Sequence, residues 1–307
     1  MTNLAERLED YATLRRALGY KPDPDRRLLG GFVRDLDASG QSSVTVDAAL
    51  AWAAEASTAP ASAARLTIVR GFARYLAGFD PATEVPPPGL VRANKVRPTP
   101  HIFTPVEIAA VMDAARGLTP GLWAATMSTL VGVMAATGIR PGEAYRLGRH
   151  DVDLDAAALA VIHSKHGKSR QIPLHPTTVS ALGRYTALRD RAFEVAAAAT
   201  FFVTADGRPL DSHDVASTFR KLLLATASIT PPPGKRPARL GDLRHSFAVS
   251  TLLSWHRSGA DVPSRLPVLS AYLGHNDPHA TYWYLEAVPE LMALIARRLE
   301  RSMGARP

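Results

Sequence analysis

Four short stretches hold residue types from which phosphate chemistry can be built: TGIRPGEAYR at 137–146, SKHGKSRQIPL at 164–174, RLGDLRHSFA at 239–248 and LGHNDPHATYWY at 273–284. They offer arginines beside turns, a basic hairpin with Lys165 and Lys168, a histidine after Leu-Gly, and the hydroxyls of Tyr282 and Tyr284. Breaking a phosphodiester without a metal needs an in-line nucleophile, neutralised non-bridging oxygens and a proton for the leaving oxygen. Guanidinium forks can neutralise the oxygens and a lysine can give the proton. A tyrosine ester conserves the bond energy, so rejoining needs no nucleotide.

Each residue also has a plainer reading. Arg140 follows a helix end, where arginine is often a cap, and the two lysines could sit on a solvated hairpin. A lone histidine such as His275 is more often structural. His245 lies about 100° around a helix from Arg244 and should pack rather than share its direction. Tyr282 and Tyr272 rival Tyr284, but Tyr282 falls roughly on the opposite face of a helix and reads as core. His150, Asp151, Asp153 and Asp155 read as turn chemistry rather than a metal cluster, and His163 and His166 lack a third ligand. With no cysteine in the chain, thiolate zinc sites, disulfides and cysteine nucleophiles drop out. No metal and no cofactor are expected.

The elements that must position these residues follow from periodicity. The 307 residues suffice for two domains with separate cores. Leu4, Leu8, Tyr11, Leu14 and Leu18 recur at helical spacing, as do Leu28, Leu29, Phe32, Val33 and Leu36; with 46–57 and 60–78 they predict a four-helix unit over 1–85. A proline-rich basic connector follows at 86–102, where Arg92, Lys95 and Arg97 are candidates for phosphate contact. Arg65, Arg70 and Arg74 could face DNA or be the wet side of their helix. Thr104-Pro105-Val106-Glu107 is a capping box that opens a helix over 104–117, and a more buried helix runs over 119–136. A β-element spans 159–163 and 171–174; further helices are placed near 176–197, 212–227, 243–257, 265–273, 279–284 and 289–303. The formal charge of +8 and pI of about 10.0 suit an anionic partner. No apolar run approaches the ~20 residues of a membrane helix. The N-terminal stretch does not read as a signal peptide, so a cytoplasmic protein is expected.

In order and spacing the four stretches resemble the tyrosine recombinase, or phage integrase, family. The resemblance covers roughly 103–303 and implies a mainly α fold with a small β-element. It implies a two-domain C-shaped DNA clamp, with a helical core-binding domain (1–85), the linker (86–102) and a catalytic domain (103–307). It places the family's catalytic arginines at Arg140 and Arg244, its lysine at Lys165 with Lys168 as runner-up and DNA contact, its histidine at His275 and its nucleophile at Tyr284. Glu143 becomes the acid supporting Arg140. The implied activity is metal-independent site-specific recombination of double-stranded DNA, as in mobile elements, through a 3′-phosphotyrosine and a Holliday junction. A helix at 289–303 would dock on a neighbouring protomer, giving a dimer to tetramer on DNA; accessory recombinases or DNA-bending proteins are further partners the resemblance admits.

One departure stands out: the family's second arginine motif usually reads His-x-x-Arg, and this chain has Gly241 at the histidine position. Losing a proton-transfer group costs about 10²–10⁴-fold. The expectation is an active enzyme, with a water or neighbouring group in the vacated space. The competing readings are a non-cleaving accessory DNA-binding member, a type IB topoisomerase or telomere resolvase sharing the site, and a metal-dependent carboxylate transposase, against which the lack of an acidic triad speaks.

Overall fold

The computed structural model describes residues 3–20, 23–93, 99–162, 169–193, 198–226, 229 and 236–274. The chain divides into two compact units, residues 1–97 and 98–307. Among the described residues, no helix is long and apolar enough to cross a membrane.

The first unit holds α1 (Leu4–Ala17), α2 (Asp23–Ala38), α3 (Val46–Ala54) and α4 (Ala59–Leu76). Side chains of Asn3, Thr45 and Thr58 accept from the first amides of α1, α3 and α4, satisfying donors that a helix start leaves without partners. The helices close over Leu8, Leu29, Phe32, Leu36, Trp52, Leu66, Val69 and Phe72. Leu14, Leu18 and Leu28 share the apolar spacing but remain exposed. The chain beyond α4 stays on this unit. Glu84 N–H donates to the Val44 carbonyl at 2.8 Å, its carboxylate accepts from Val46 N–H at 2.7 Å, and Val85 and Val91 pack against the core. The early part of the expected connector is therefore laid along the helical unit.

The second unit is built around α6 (Gly121–Thr137), which buries residues on every side, as a helix apolar all round must. α5 (Pro105–Arg116) packs on it after the Thr104–Glu107 capping box; α8 (Pro176–Ala192) and α10 (Asp242–Arg257) also pack on α6, and α9 (Ser212–Ala225) packs against α5. Short α7 (Pro141–Arg146) leads through a 3-10 turn into an antiparallel sheet of β1 (Val152–Asp153), β2 (Ala158–Val161) and β3 (Arg170–Pro173), ordered β1-β2-β3 with Leu159 opposite Ile172. β1 was not foreseen. Asp151 and Asp153 accept from the amides of Gly148 and Ala156, both at 2.7 Å, so these acids do make turns, and Asp153 also ends the two-residue strand β1. α11 (Val262–Leu273) starts three residues before the expected 265, because Asp261 caps it and Pro263 sits in its first turn, where no amide is needed. With α10 it forms a separate apolar cluster of Ala248, Val249, Leu252, Val262, Leu266, Leu269 and Leu273. The helices expected at 279–284 and 289–303 lie outside the described residues.

α6 ends at Gly138 in the left-handed conformation (φ 62°), and a Cβ there would come within 2.6 Å of the Phe247 ring and 3.1 Å of Leu273. This close approach sets α10 and α11 against the end of α6. Gly138→Ala should destabilise the second unit by about 2–4 kcal/mol, combining the left-handed penalty with overpacking. Denaturant unfolding checks this; an unchanged midpoint would refute the tight seam.

Candidate active site

The loop after α6 places Arg140 as the N-cap of α7, with Pro141 at the first helical position. Glu143, three residues on, accepts from the Arg140 backbone N–H at 3.1 Å and from its guanidinium Nη1 at 2.7 Å. Glu143 is only 6% exposed, so its charge requires close cationic partners. A second is Arg170 at the start of β3, which reaches both carboxylate oxygens, at 3.2 and 2.7 Å.

α11 terminates at Gly274 in the left-handed conformation (φ 66°), whose amide bonds back to the Ala271 carbonyl at 2.9 Å. The next three carbonyls each accept from a different arginine. Arg170 Nε donates to Tyr272 O at 2.8 Å, Arg244 Nη2 to Leu273 O at 2.5 Å, and Arg140 Nη2 to Gly274 O at 2.6 Å. Arg244, buried near the start of α10, also donates to the Gly138 carbonyl at 2.8 Å. A helix C-terminus carries partial negative charge and carbonyls without intrahelical partners, so cations are favoured there. Gly274 cannot readily be another residue: a Cβ would lie 3.0 Å from Arg170 Nη1 and 3.4 Å from Arg140 Nη1.

The start of α10 is fixed by Asp242, 2% exposed, which accepts from the Arg239 amide at 2.9 Å and from both terminal nitrogens of Arg236 at 2.9 and 2.7 Å. Ser246 on α10 accepts from the Phe103 amide at 2.8 Å and so ties in the segment before α5. Sequence reasoning missed Arg170, Asp242 and Arg236. Asp242 had a local signal, an acid in the first turn of a helix, but Arg170 had none.

Gly241 adopts ordinary right-handed geometry (φ −63°, ψ −18°), and among the described residues a Cβ there would meet only Pro141 Cγ, at 3.8 Å. Neither the backbone nor crowding demands glycine at this position.

Of the other expected residues, Arg92 is exposed. Arg65 donates to the Trp52 carbonyl at 2.7 Å and stacks on its ring; Arg70 donates to the carbonyls of Pro86 and Pro87 at 2.7 and 2.9 Å. Both thus brace their own unit. His245 is half-buried. Tyr272, weighed as a rival nucleophile, is stacked on Phe247, and burial pushes its phenol up despite the nearby Arg170. Burial, with the charge of Asp211 adding to it, pushes Tyr145 up to about 12, so neither phenolate forms readily. Lys95, Arg97, His163, Lys165, His166, Lys168, His275, Tyr282 and Tyr284 lie outside the described residues. Among the described residues one group could hold a metal, exposed Asp211, His213 and Asp214; Asp211 there acts as the N-cap of α9, accepting from the His213 amide at 2.7 Å.

Residues 102–290 match the phage integrase family. Over 98% of both chains the sequence is 37% identical to a protein of Sinorhizobium fredii (strain NBRC 101917 / NGR234) named as an integrase/recombinase, y4rB. It is 26% identical to the tyrosine recombinase XerD of Bradyrhizobium diazoefficiens, over 95% of this chain and 87% of that one. The fold is similar to that of the Tn1549 transposon integrase in complex with transposon right end DNA (TM-score 0.64, 16% identity, 96% and 99% coverage). It is also similar to a lambda integrase in a tetramer bound to a Holliday junction (TM-score 0.59, 18% identity, 91% and 79% coverage).

Since Gly241 tolerates a side chain, Gly241→His should fold with a melting temperature within about 4 °C of the unsubstituted protein, the shift that ~1 kcal/mol produces. A scan of thermal unfolding tests this, and a much larger fall would show that the space beside Pro141 is not open.

Proposed function

The chain belongs to the phage integrase family and is a site-specific tyrosine recombinase; from this we propose that it cuts and rejoins double-stranded DNA through a 3′-phosphotyrosine on Tyr284. The supporting observation is that Arg140 and Arg244, from separate elements, are bonded to adjacent carbonyls at the end of α11. His275 is the next residue in the chain, and Tyr284 follows nine positions later.

In this reading the arginines and His275 hold the scissile phosphate, and their cationic and hydrogen-bonding groups take up the charge that develops on its oxygens. Tyr284 Oη gives its proton to a water or neighbouring group in place of the histidine absent at Gly241 and attacks phosphorus; the bond to the 5′-oxygen breaks, and that oxygen takes a proton from Lys165. In the reverse direction a 5′-hydroxyl from the partner strand attacks the phosphotyrosine and releases Tyr284. Two rounds of exchange pass through a Holliday junction. Glu143, which accepts from the backbone and side chain of Arg140, supports that arginine.

On the duplex, Arg92, Lys95, Arg97 and Lys168 would lie on phosphates. Binding should therefore weaken steeply with salt as counterions are released. A non-cleaving accessory role is the second reading, favoured by the missing histidine at Gly241.

The test is trapping on a nicked suicide duplex bearing the cognate site, with EDTA present. A covalent protein–DNA band is expected from the unsubstituted protein and none from Tyr284→Phe. DNA that is bound but never trapped would move the accessory reading to first place. Gly241→His should change the trapping rate by about tenfold or more if a water or neighbour only partly replaces the histidine.

In residues 289–303 the apolar Leu291, Leu294, Ile295 and Leu299 recur at helical spacing, and this stretch would dock on a second protomer to give a dimer to tetramer on DNA. A chain lacking 289–307 should still bind one half-site in a native gel but no longer form higher complexes on a two-site duplex. Retained assembly would refute this docking.

A further inference from the structure

We infer that Arg170 is a positioning residue that locks Arg140 through Glu143 and couples β3 to the end of α11, an inference that rests on the recombinase reading of the site. Its guanidinium is spent inward: Nη1 and Nη2 fork onto the two oxygens of Glu143 and Nε donates to Tyr272 O. The side chain is only 12% exposed, so it is not offered to DNA as a surface cation.

Two consequences follow from the chemistry of that arrangement. Glu143 accepts from both the backbone and the side chain of Arg140, so the direction of Arg140 depends on where the carboxylate plane lies. The fork from Arg170 fixes that plane, because two parallel N–H···O bonds allow only one orientation, whereas a lysine would act as a point charge. The bond to Tyr272 then registers the strand against the helix end whose neighbouring carbonyls are held by Arg244 and Arg140. Arg170 thus joins three elements whose relative placement decides where the two proposed phosphate-binding arginines point.

The experiment compares Arg170→Gln, Arg170→Lys, Glu143→Gln and the double variant Glu143→Gln/Arg170→Gln in the trapping assay at saturating DNA. Arg170→Gln should slow covalent-complex formation by about 10–100-fold, the cost of a small misplacement of a catalytic group, while leaving DNA affinity within about threefold. Arg170→Lys should recover only part of the rate. The double variant should be no more than about twofold slower than the slower single variant, because both changes break one coupled unit. Rates within twofold of the unsubstituted protein for Arg170→Gln, or losses that multiply in the double variant, would overturn the inference. If Arg170→Gln shows no cooperative unfolding, Arg170→Lys replaces it in the same cycle.

Hydrogen exchange on the DNA-free protein separates this inference from the recombinase reading. Arg170→Gln (or Lys) should speed exchange of the Arg140 amide and of the amides at 273–274 by about tenfold or more, leaving α4 unchanged. Unchanged exchange at either place would refute the coupling even if no variant were trapped. A protein that fails to trap DNA but shows the coupled exchange would refute only the recombinase chemistry.

Discussion

A helix that ends inside a protein must find donors for its last carbonyls, and in α11 those donors are guanidiniums from α7, β3 and α10. Three cations brought this close would repel one another in isolation. The negative end of the helix and the buried Glu143 supply the counter-charge that lets them coexist. Among the contacts of the described residues the full charges here are those of three guanidiniums and one carboxylate. Such a place suits an anion that several guanidiniums can share.

The apolar packing serves this arrangement. Gly138 lets the end of α6 approach Phe247 and Leu273, and its carbonyl is the second acceptor for Arg244. Arg244 therefore bridges two helix ends, each closed by a left-handed glycine. Asp242 and Ser246 fix the first turn of α10 from the other side, so the burial of Arg244 is matched by bonds on both flanks. The separate α10–α11 cluster carries the carbonyls, and the α6 core carries the loop with Arg140. The site lies on the seam between these two bodies of packing.

What could be read beforehand was what is encoded locally. The Thr104 capping box, the break at Gly138, the Pro141 start and the Arg140–Glu143 spacing all act within four residues, and all appear in the structure. α11 starts earlier than the expected 265, although Asp261 and Pro263 carry a local start signal. Leu14 and Leu18 fit the helical repeat, but periodicity cannot tell whether a partner surface exists, and they remain exposed. Arg65 and Arg70 were read by charge, while their carbonyl partners come from Trp52 in α3, 13 residues earlier, and from Pro86 beyond α4, 16 residues later. Arg170 was illegible for the same reason: its meaning lies in Glu143, 27 residues earlier, and in Tyr272, 102 residues later. Gly241 was legible as a departure, but only the backbone geometry shows that glycine is not required there.

The separations along the chain have a consequence for biosynthesis. Arg140 bonds to a carbonyl 134 residues further on, Arg170 to one 102 residues on, and Gly138 accepts from an arginine 106 residues on. At ~5–20 residues per second a ribosome needs about 5–30 s to cover such distances. Throughout that interval the loop with Arg140 and the strand with Arg170 are already made while the helix end that organises them is not. A nascent or prematurely terminated chain thus carries the arginines without their arrangement, which forms only after α11 has been translated.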